Sequence, residues 1–535
     1  MNRGWASALA RQRPFIVAAV GVAGVFWSQF AWVRATNFYG TDEWVFQWVA
    51  ARRILDSPYS NRPFNFLWTI PAAHVGARGF AGFYAVHALY LLGSALVALA
   101  LVHRLLPDRP RLAFLTAVFA AVWAPSDPSR LATVQMTVNS GFTFGALAAV
   151  WLFVVSWQRR HRGLLLLAAV WGLLMVRGYE AVAPPIFAAP VLVLGDLRRD
   201  RRAARVWLAV WGLAALAAAA AILPPLLHPD ASVAYQATLL QIDAAPARMA
   251  ARLAQEYRIH LLPAVATSPV VLRIPAVLVS ALAFVLAFAA VGRWSPPESW
   301  SRRALMGAGA LGLALAALSY AAFLPSRVVD PGDRTEILAM PAIGLFLAAS
   351  IALVASAASP RGRALAMGTL AAWIVAVAAA RTLQMQRSWD TVSYYGRQVR
   401  LLQDLVRFAP HLRPHTLVVL VGDTSAFPAT FTFRHAIESV YPGEATGVLA
   451  SGPEALYVSR LTPSGIETEP WPVLRKPWGV APTRHRFDEM VVARARADGT
   501  ATLEPSWPAE LPPLPPGQAY DPGARILGHA PAAPR

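Results

Sequence analysis

Gly82–Val102 reads GFYAVHALYLLGSALVALALV, 21 residues without an Asp, Glu, Lys or Arg. As a helix that run covers about 30 Å, the thickness of a bilayer's hydrocarbon core. Phe15–Val33 and Pro275–Val291 read the same way. Working outward from these three, eleven apolar runs are expected to span a membrane, at approximately 14–33, 80–103, 112–124, 140–157, 163–176, 181–195, 206–227, 272–292, 304–324, 339–357 and 364–381. The whole chain agrees: 56% of its 535 residues are hydrophobic and its mean hydropathy is +0.44, more apolar surface than a soluble globule of that size buries.

The net charge of +19 falls in arginine clusters between the runs, which points to membrane topology and away from a nucleic-acid partner. Arg3/Arg11/Arg13, Arg104/Arg109/Arg111, Arg159/Arg160/Arg162, Arg198–Arg205, Arg293/Arg302/Arg303 and Arg361/Arg363 lie on alternate connections, so that side is expected to be cytoplasmic. An odd number of spans then puts the N-terminus in the cytoplasm and the C-terminal region outside, in a multi-pass protein of the cell inner (plasma) membrane. The first run is too long for the apolar part of a signal peptide and is read as an uncleaved span. The chain contains no cysteine, so candidate chemistry must rest on carboxylate, His, Arg or hydroxyl groups.

These groups gather on the connections expected outside. Asp42 and Glu43 form an acidic pair directly after the first span, at the start of a stretch, Asp42–Leu55, that reads as an amphipathic helix lying in the membrane interface. In that reading Trp44, Val45, Trp48, Val49 and Leu55 share one side, with Glu43, Gln47 and Arg53 turned away. One of the two acids is a candidate general base, and either is a candidate metal or hydroxyl ligand. The competing reading makes Thr41 a helix cap and the acids complements to the helix dipole. Ser60-Asn61-Arg62-Pro63 brings Arg62 back to the surface as a candidate phosphate clamp. Tyr179 and Glu180 sit at the lip between two spans, where Glu180 either serves function or pairs with Arg177 three residues earlier. Arg327, Asp333 and Arg334 belong to a dense charged loop, Arg327–Glu336, whose arginines suit a phosphate held by paired hydrogen bonds. An amphipathic stretch, Ala247–Leu262, precedes it.

An acidic pair in the first external loop, an interfacial helix and an Arg-Pro turn before the second span resemble the C-type (GT-C) glycosyltransferase superfamily of integral membrane enzymes, and the Tyr179-Glu180 lip is similar to one in several bacterial members. The resemblance covers roughly residues 14–381. It implies transfer of a sugar from a polyprenyl-phosphate-linked donor to a glycan, lipid or protein acceptor of the cell envelope, on the external face and with inversion. It gives Asp42 and Glu43 the catalytic role and Arg62, Tyr179, Glu180, Arg327, Asp333 and Arg334 the binding of substrate. Members differ over needing a divalent cation such as Mg or Mn, which Asp42 or Glu43 would hold. Two other readings stand beside it: a transporter or flippase for a lipid-linked saccharide, in which Glu180 and the arginines line a pathway, and an O-antigen-type polymerase or ligase, which shares the external arginines but does not need the acidic pair.

The expected fold is therefore an all-α polytopic membrane domain over residues 1–381, followed by a small α/β or mixed extracytoplasmic domain over 382–504. In the latter Thr416–Val421, Ala455–Val458 and Met490–Ala495 read as strands and Ala429–Tyr441 as a helix. A Pro-rich tail over 505–535 is expected to be extended or disordered.

Overall fold

In a computed structural model the described residues are 3–59, 61–76, 79–227, 241–295, 298, 301–327 and 329–527. Ser60, Val328, the start of the predicted 228–271 connection and the last eight residues of the predicted tail lie outside them. By internal packing the chain divides into two compact units. The first comprises Met1–Arg34, Ser60–Trp68 and Tyr84–Ser388; the second comprises Ala35–Tyr59, Thr69–Phe83 and Trp389–Arg535. The second unit thus draws in most of the first connection, which the sequence reading assigned with the spans.

The first unit is helical. Among the described residues nine helices are long and apolar enough to cross a membrane, among them Ala81–Leu105, Thr137–Arg159, Pro275–Trp294, Arg302–Tyr320 and Glu336–Ala355. The predicted runs at 112–124 and 163–176 form helices too, Pro110–Val122 and Arg162–Gly178, but at 13 and 17 residues they are short for a span. The run at 181–195 lies in Glu180–Arg199, one of the nine, which is made of alternating 3-10 and α pieces with Pro184, Pro185 and Pro190 among them, each of which removes a backbone donor. Small residues let the helices close on one another. A Cβ on Gly312 would stand 2.8 Å from the Ala342 carbonyl oxygen, and one on Gly344 2.6 Å from that of Thr116. Arg13 lies 3.6 Å over the Trp294 ring, tying together the arginine-bearing ends of Arg3–Phe30 and Pro275–Trp294.

The second unit is built on a four-stranded sheet and a three-stranded one. The strands are β1 (Thr416–Gly422), β2 (Ala445–Leu449), β3 (Tyr457–Thr462), β4 (Gly465–Pro470), β5 (Thr483–His485), β6 (Met490–Ala495) and β7 (Ala501–Leu503). The first sheet has the order β2-β1-β6-β7, parallel except for β6-β7, and the second runs β3-β4-β5, antiparallel. Helix Thr430–Val440 makes the crossover from β1 to β2 and rests Phe433 and Ile437 on Gly447 of β2. On the core of Leu417, Val419, Val448, Met490 and Val492 lie Trp507, Leu511, Leu514 and Tyr520. Over its described residues, 505–527, the predicted tail is packed and includes a 3-10 turn at Pro522–Arg525: the Tyr520 hydroxyl accepts from Val492 N and donates to the Glu504 carbonyl, both at 2.9 Å.

Helix Glu43–Ala51 also belongs to this second unit. Trp44, Val45, Trp48 and Val49 are buried, with Trp48 against the rings of His435 and Trp478 at 4.7 and 5.7 Å. The apolar side expected to meet lipid is covered by protein. Glu43, expected to turn away, is fully buried; Leu55 and Arg53 lie beyond the helix, and Arg53 has a φ of 56°.

Candidate functional site

In the first unit, helix Arg162–Gly178 ends at Tyr179, whose extended backbone turns the chain so that Glu180 follows on a new axis. The Glu180 carboxylate is gripped from both sides by Arg62, through Nε to Oε2 at 2.5 Å and Nη2 to Oε1. Arg177 donates instead to the Ala221 carbonyl at 2.8 Å, so the helical Arg177–Glu180 pairing does not form. The Arg62 guanidinium lies 5.2 Å from the centre of the Tyr179 ring, and the Tyr179 hydroxyl accepts from Asn139 Nδ2 at 3.0 Å. Burial pushes the Tyr179 hydroxyl up to about 12; the charges of Arg62 and Arg334 pull it down, and those of Glu180 and Asp333 add to the rise. Five of the predicted binding residues, Arg62, Tyr179, Glu180, Asp333 and Arg334, therefore share one electrostatic neighbourhood. Arg327 is engaged elsewhere, by Asp243 at 2.7 Å, in a pair that also takes Arg248 at 3.2 Å.

Beneath that cluster lies a layer of buried carboxylates not singled out from the sequence. Asp127 and Glu336 are fully buried and Glu256 is 1% exposed. Glu336 Oε2 accepts the amides of Ser126 and Asp127 at 3.2 and 3.1 Å. Asp127 Oδ1 accepts the Ser129 amide at 2.9 Å and its hydroxyl as well. Asp127 Oδ2 and Glu336 Oε1 have no hydrogen-bond partner. Burial, and to a lesser extent the Asp333 charge, push the Asp127 carboxyl up to about 7, against the hydrogen bonds from Ser129. Arg130 closes helix Pro110–Val122 by donating to the Ala121 and Val122 carbonyls at 3.0 and 2.8 Å. His260, assigned no role from the sequence, is buried with Nδ1 2.5 Å from the Tyr320 hydroxyl. Desolvation takes its ring down to about 3 and keeps it neutral.

The same unit contains a cavity of about 410 Å³ that follows helix Arg302–Tyr320 from Ala304 to Ser319, about 22 Å by helical rise. Leucines, alanines and valines make most of its wall, with Leu338, Ala342 and Leu345 facing it from helix Glu336–Ala355. Arg109, Gln158 and Asp196 border it near the arginine-bearing ends. Its other end, at Ser319 and Leu338, is one residue from Tyr320 and two from Glu336.

In the second unit the acidic pair divides its roles. Glu43 turns back so that Oε1 accepts Tyr39 N at 2.5 Å and Oε2 accepts Gly40 N at 3.1 Å. Each oxygen thus accepts one backbone amide. Burial pushes its carboxyl up to about 8, opposed by backbone N–H groups and reinforced by the neighbouring Asp42 charge. Asp42 is half-buried and stands at the N-cap position without capping through its side chain. Thr41 presents its carbonyl to Thr432 Oγ1 at 3.1 Å.

No protein-family model matches the chain, and no curated protein matches it either. Among the described residues no group of three or more His, Asp or Glu side chains is placed to hold a metal ion. A sequence signal for the missed layer existed in Asp127-Pro128-Ser129, an Asx-type turn between two apolar runs, where an acid is costly to bury.

Proposed function

We propose that this protein is an integral membrane glycosyltransferase that takes a sugar from a polyprenyl-phosphate carrier and transfers it to a cell-envelope acceptor. One observation carries the reading: an apolar cavity about 22 Å long ends within two residues of the polar layer that holds the loop bearing Arg334. An isoprenoid tail suits the cavity, and an anionic phosphate suits the arginines. In this reading the cavity takes the tail, and Arg334, with Arg62 behind it, stabilises the departing phosphate. Tyr179, with its hydroxyl held by Asn139, orients the sugar.

The transfer itself balances simply. The acceptor hydroxyl oxygen bonds to the anomeric carbon as the bond from that carbon to the phosphate oxygen breaks, and polyprenyl phosphate leaves with the electron pair. The acceptor's proton passes to a carboxylate, for which Asp42 is our assignment because Glu43 is occupied by backbone donors. No metal is used in this scheme. Inversion follows if attack is direct.

The test is transfer of labelled sugar from polyprenyl-phosphate donors in membranes carrying the protein. Asp42→Asn should abolish transfer with the folded protein still abundant; full transfer by this variant removes the base assignment. Movement of the labelled carrier across vesicles with its sugar still attached would instead favour a flippase.

A further inference from the structure

The loop that carries Asp333 and Arg334 is held in an unfavourable backbone shape. Gly332 has a φ of 88° and Arg334, a side-chain-bearing residue, has a φ of 62°. Such a conformation persists only where surrounding bonds over-determine it. Two of those bonds converge on one buried side chain. Glu256, in the middle of helix Pro246–Leu261, accepts with a single oxygen, Oε2, from the Gly332 amide at 3.2 Å and from Thr335 Oγ1 at 3.0 Å. It therefore brackets Asp333 and Arg334 from both sides. One turn earlier on the same helix face, Arg252 donates to the Val329 carbonyl. The Arg334 amide is fixed independently by Ser129 Oγ at 3.2 Å, and that hydroxyl is in turn held by Asp127.

We infer that Glu256 is the positioning residue for Arg334, clamping residues 332–335 in a left-handed turn so that the guanidinium is preset to receive the phosphate of a polyprenyl carrier. The ligand named here rests on the glycosyltransferase reading; the clamp itself does not. Presetting removes the ordering cost that a free loop would incur on binding an anion. A helix lying outside the predicted spans thereby governs affinity for a ligand it does not touch.

The test uses the purified full chain in detergent with polyprenyl phosphate as the probe, together with hydrogen exchange over residues 329–336. Glu256→Ala should weaken binding about tenfold or more, the scale of a lost charge-assisted contact, and should speed exchange at Gly332 and Thr335. Glu256→Gln keeps an oxygen acceptor and should stay within about twofold of wild type on both readouts. Thr335→Ala removes one of the two donors and leaves Glu256 with the Gly332 amide; it should loosen the loop in part, which guards against a Glu256→Ala protein that fails to fold. Arg334→Ala should abolish binding while leaving exchange of the other loop amides unchanged. Unchanged exchange in Thr335→Ala and Glu256→Ala overturns the clamp, as does a Gln variant no better than Ala. If the wild-type chain does not bind polyprenyl phosphate, the functional reading and the ligand fall together, and the exchange measurements still decide the clamp.

Discussion

Arg62 and Glu180 form a two-pronged ion pair across 118 residues of sequence, with side chains only 22% and 16% exposed. Removing either partner strands a partly buried charge, at a cost of about 1–3 kcal/mol. Glu180→Gln and Arg62→Gln should each lower the thermal midpoint of the detergent-solubilised protein. The double variant should lose less than the sum, with a coupling above about 0.5 kcal/mol. A coupling near zero would show that the pair contributes nothing to the fold.

Stability should fall as pH rises through the neutral range. Glu43 titrates at about 8 in the folded chain against an ordinary 4.5, and Asp127 at about 7 against 3.8. Above about 6.5, where buried His260 no longer offsets them by taking up a proton on unfolding, the unfolded chain has already released protons that the folded chain retains at these two carboxyls, so raising the pH favours unfolding. Glu43→Gln should flatten the decline up to about pH 8, and Asp127→Asn the part that ends near 7. Glu438 does not mask this: burial would raise its carboxyl, but His435 and Arg434 bring it down to about 2, so its contribution is lost only in acid. Thermal unfolding across the range checks the sign, and a stability that climbs toward pH 8 contradicts it.

Gly40 has a φ of 87°, and a Cβ there would stand 2.5 Å from Cγ of Tyr394. Gly40→Ala should destabilise the second unit by about 2 kcal/mol or more, from backbone strain and the clash together. Tyr394→Ala in the same chain should recover only part of the loss, because the left-handed backbone remains. Full recovery would assign the whole effect to the ring.

Residues 389–535 expressed alone should bind hydrophobic dyes and melt without cooperativity, because helix Glu43–Ala51 supplies Trp44, Trp48 and Val49 to their core. Adding residues 35–59 as a second polypeptide should quench the dye signal. A well-folded isolated fragment would make the helix a passenger.

Hydropathy made the spans legible, because length and apolarity alone decide what crosses a bilayer. It missed the break after Glu180 because three prolines in an apolar run change the helix without changing the hydropathy. In the second unit Met490–Ala495 and Thr416–Val421 stood out as short apolar runs, whereas β4, with Glu467 and Glu469 exposed on one face, did not. The spacing of Trp44, Val45, Trp48 and Val49 identified a face that must be covered; periodicity carries no information about whether lipid or protein covers it. Arg62 and Glu180 were each noticed, but an ion pair between distant loops leaves no trace in either. Asp127, Glu256 and Glu336 were given no role for the opposite reason: buried acids resemble loop acids until their hydrogen-bond partners are known.

The mixed ancestry of the second unit has a consequence for how the protein is made. Residues 35–59 leave the ribosome more than 300 residues before the strands and helices they pack against. At about 5–20 residues per second that is an interval of tens of seconds. Throughout it Trp48 lacks its native neighbours His435 and Trp478, so a chaperone or the membrane surface must shelter it. A chain cut short by a premature stop anywhere before the last strands would leave that helix permanently unsheltered, a ready signal for proteolytic quality control.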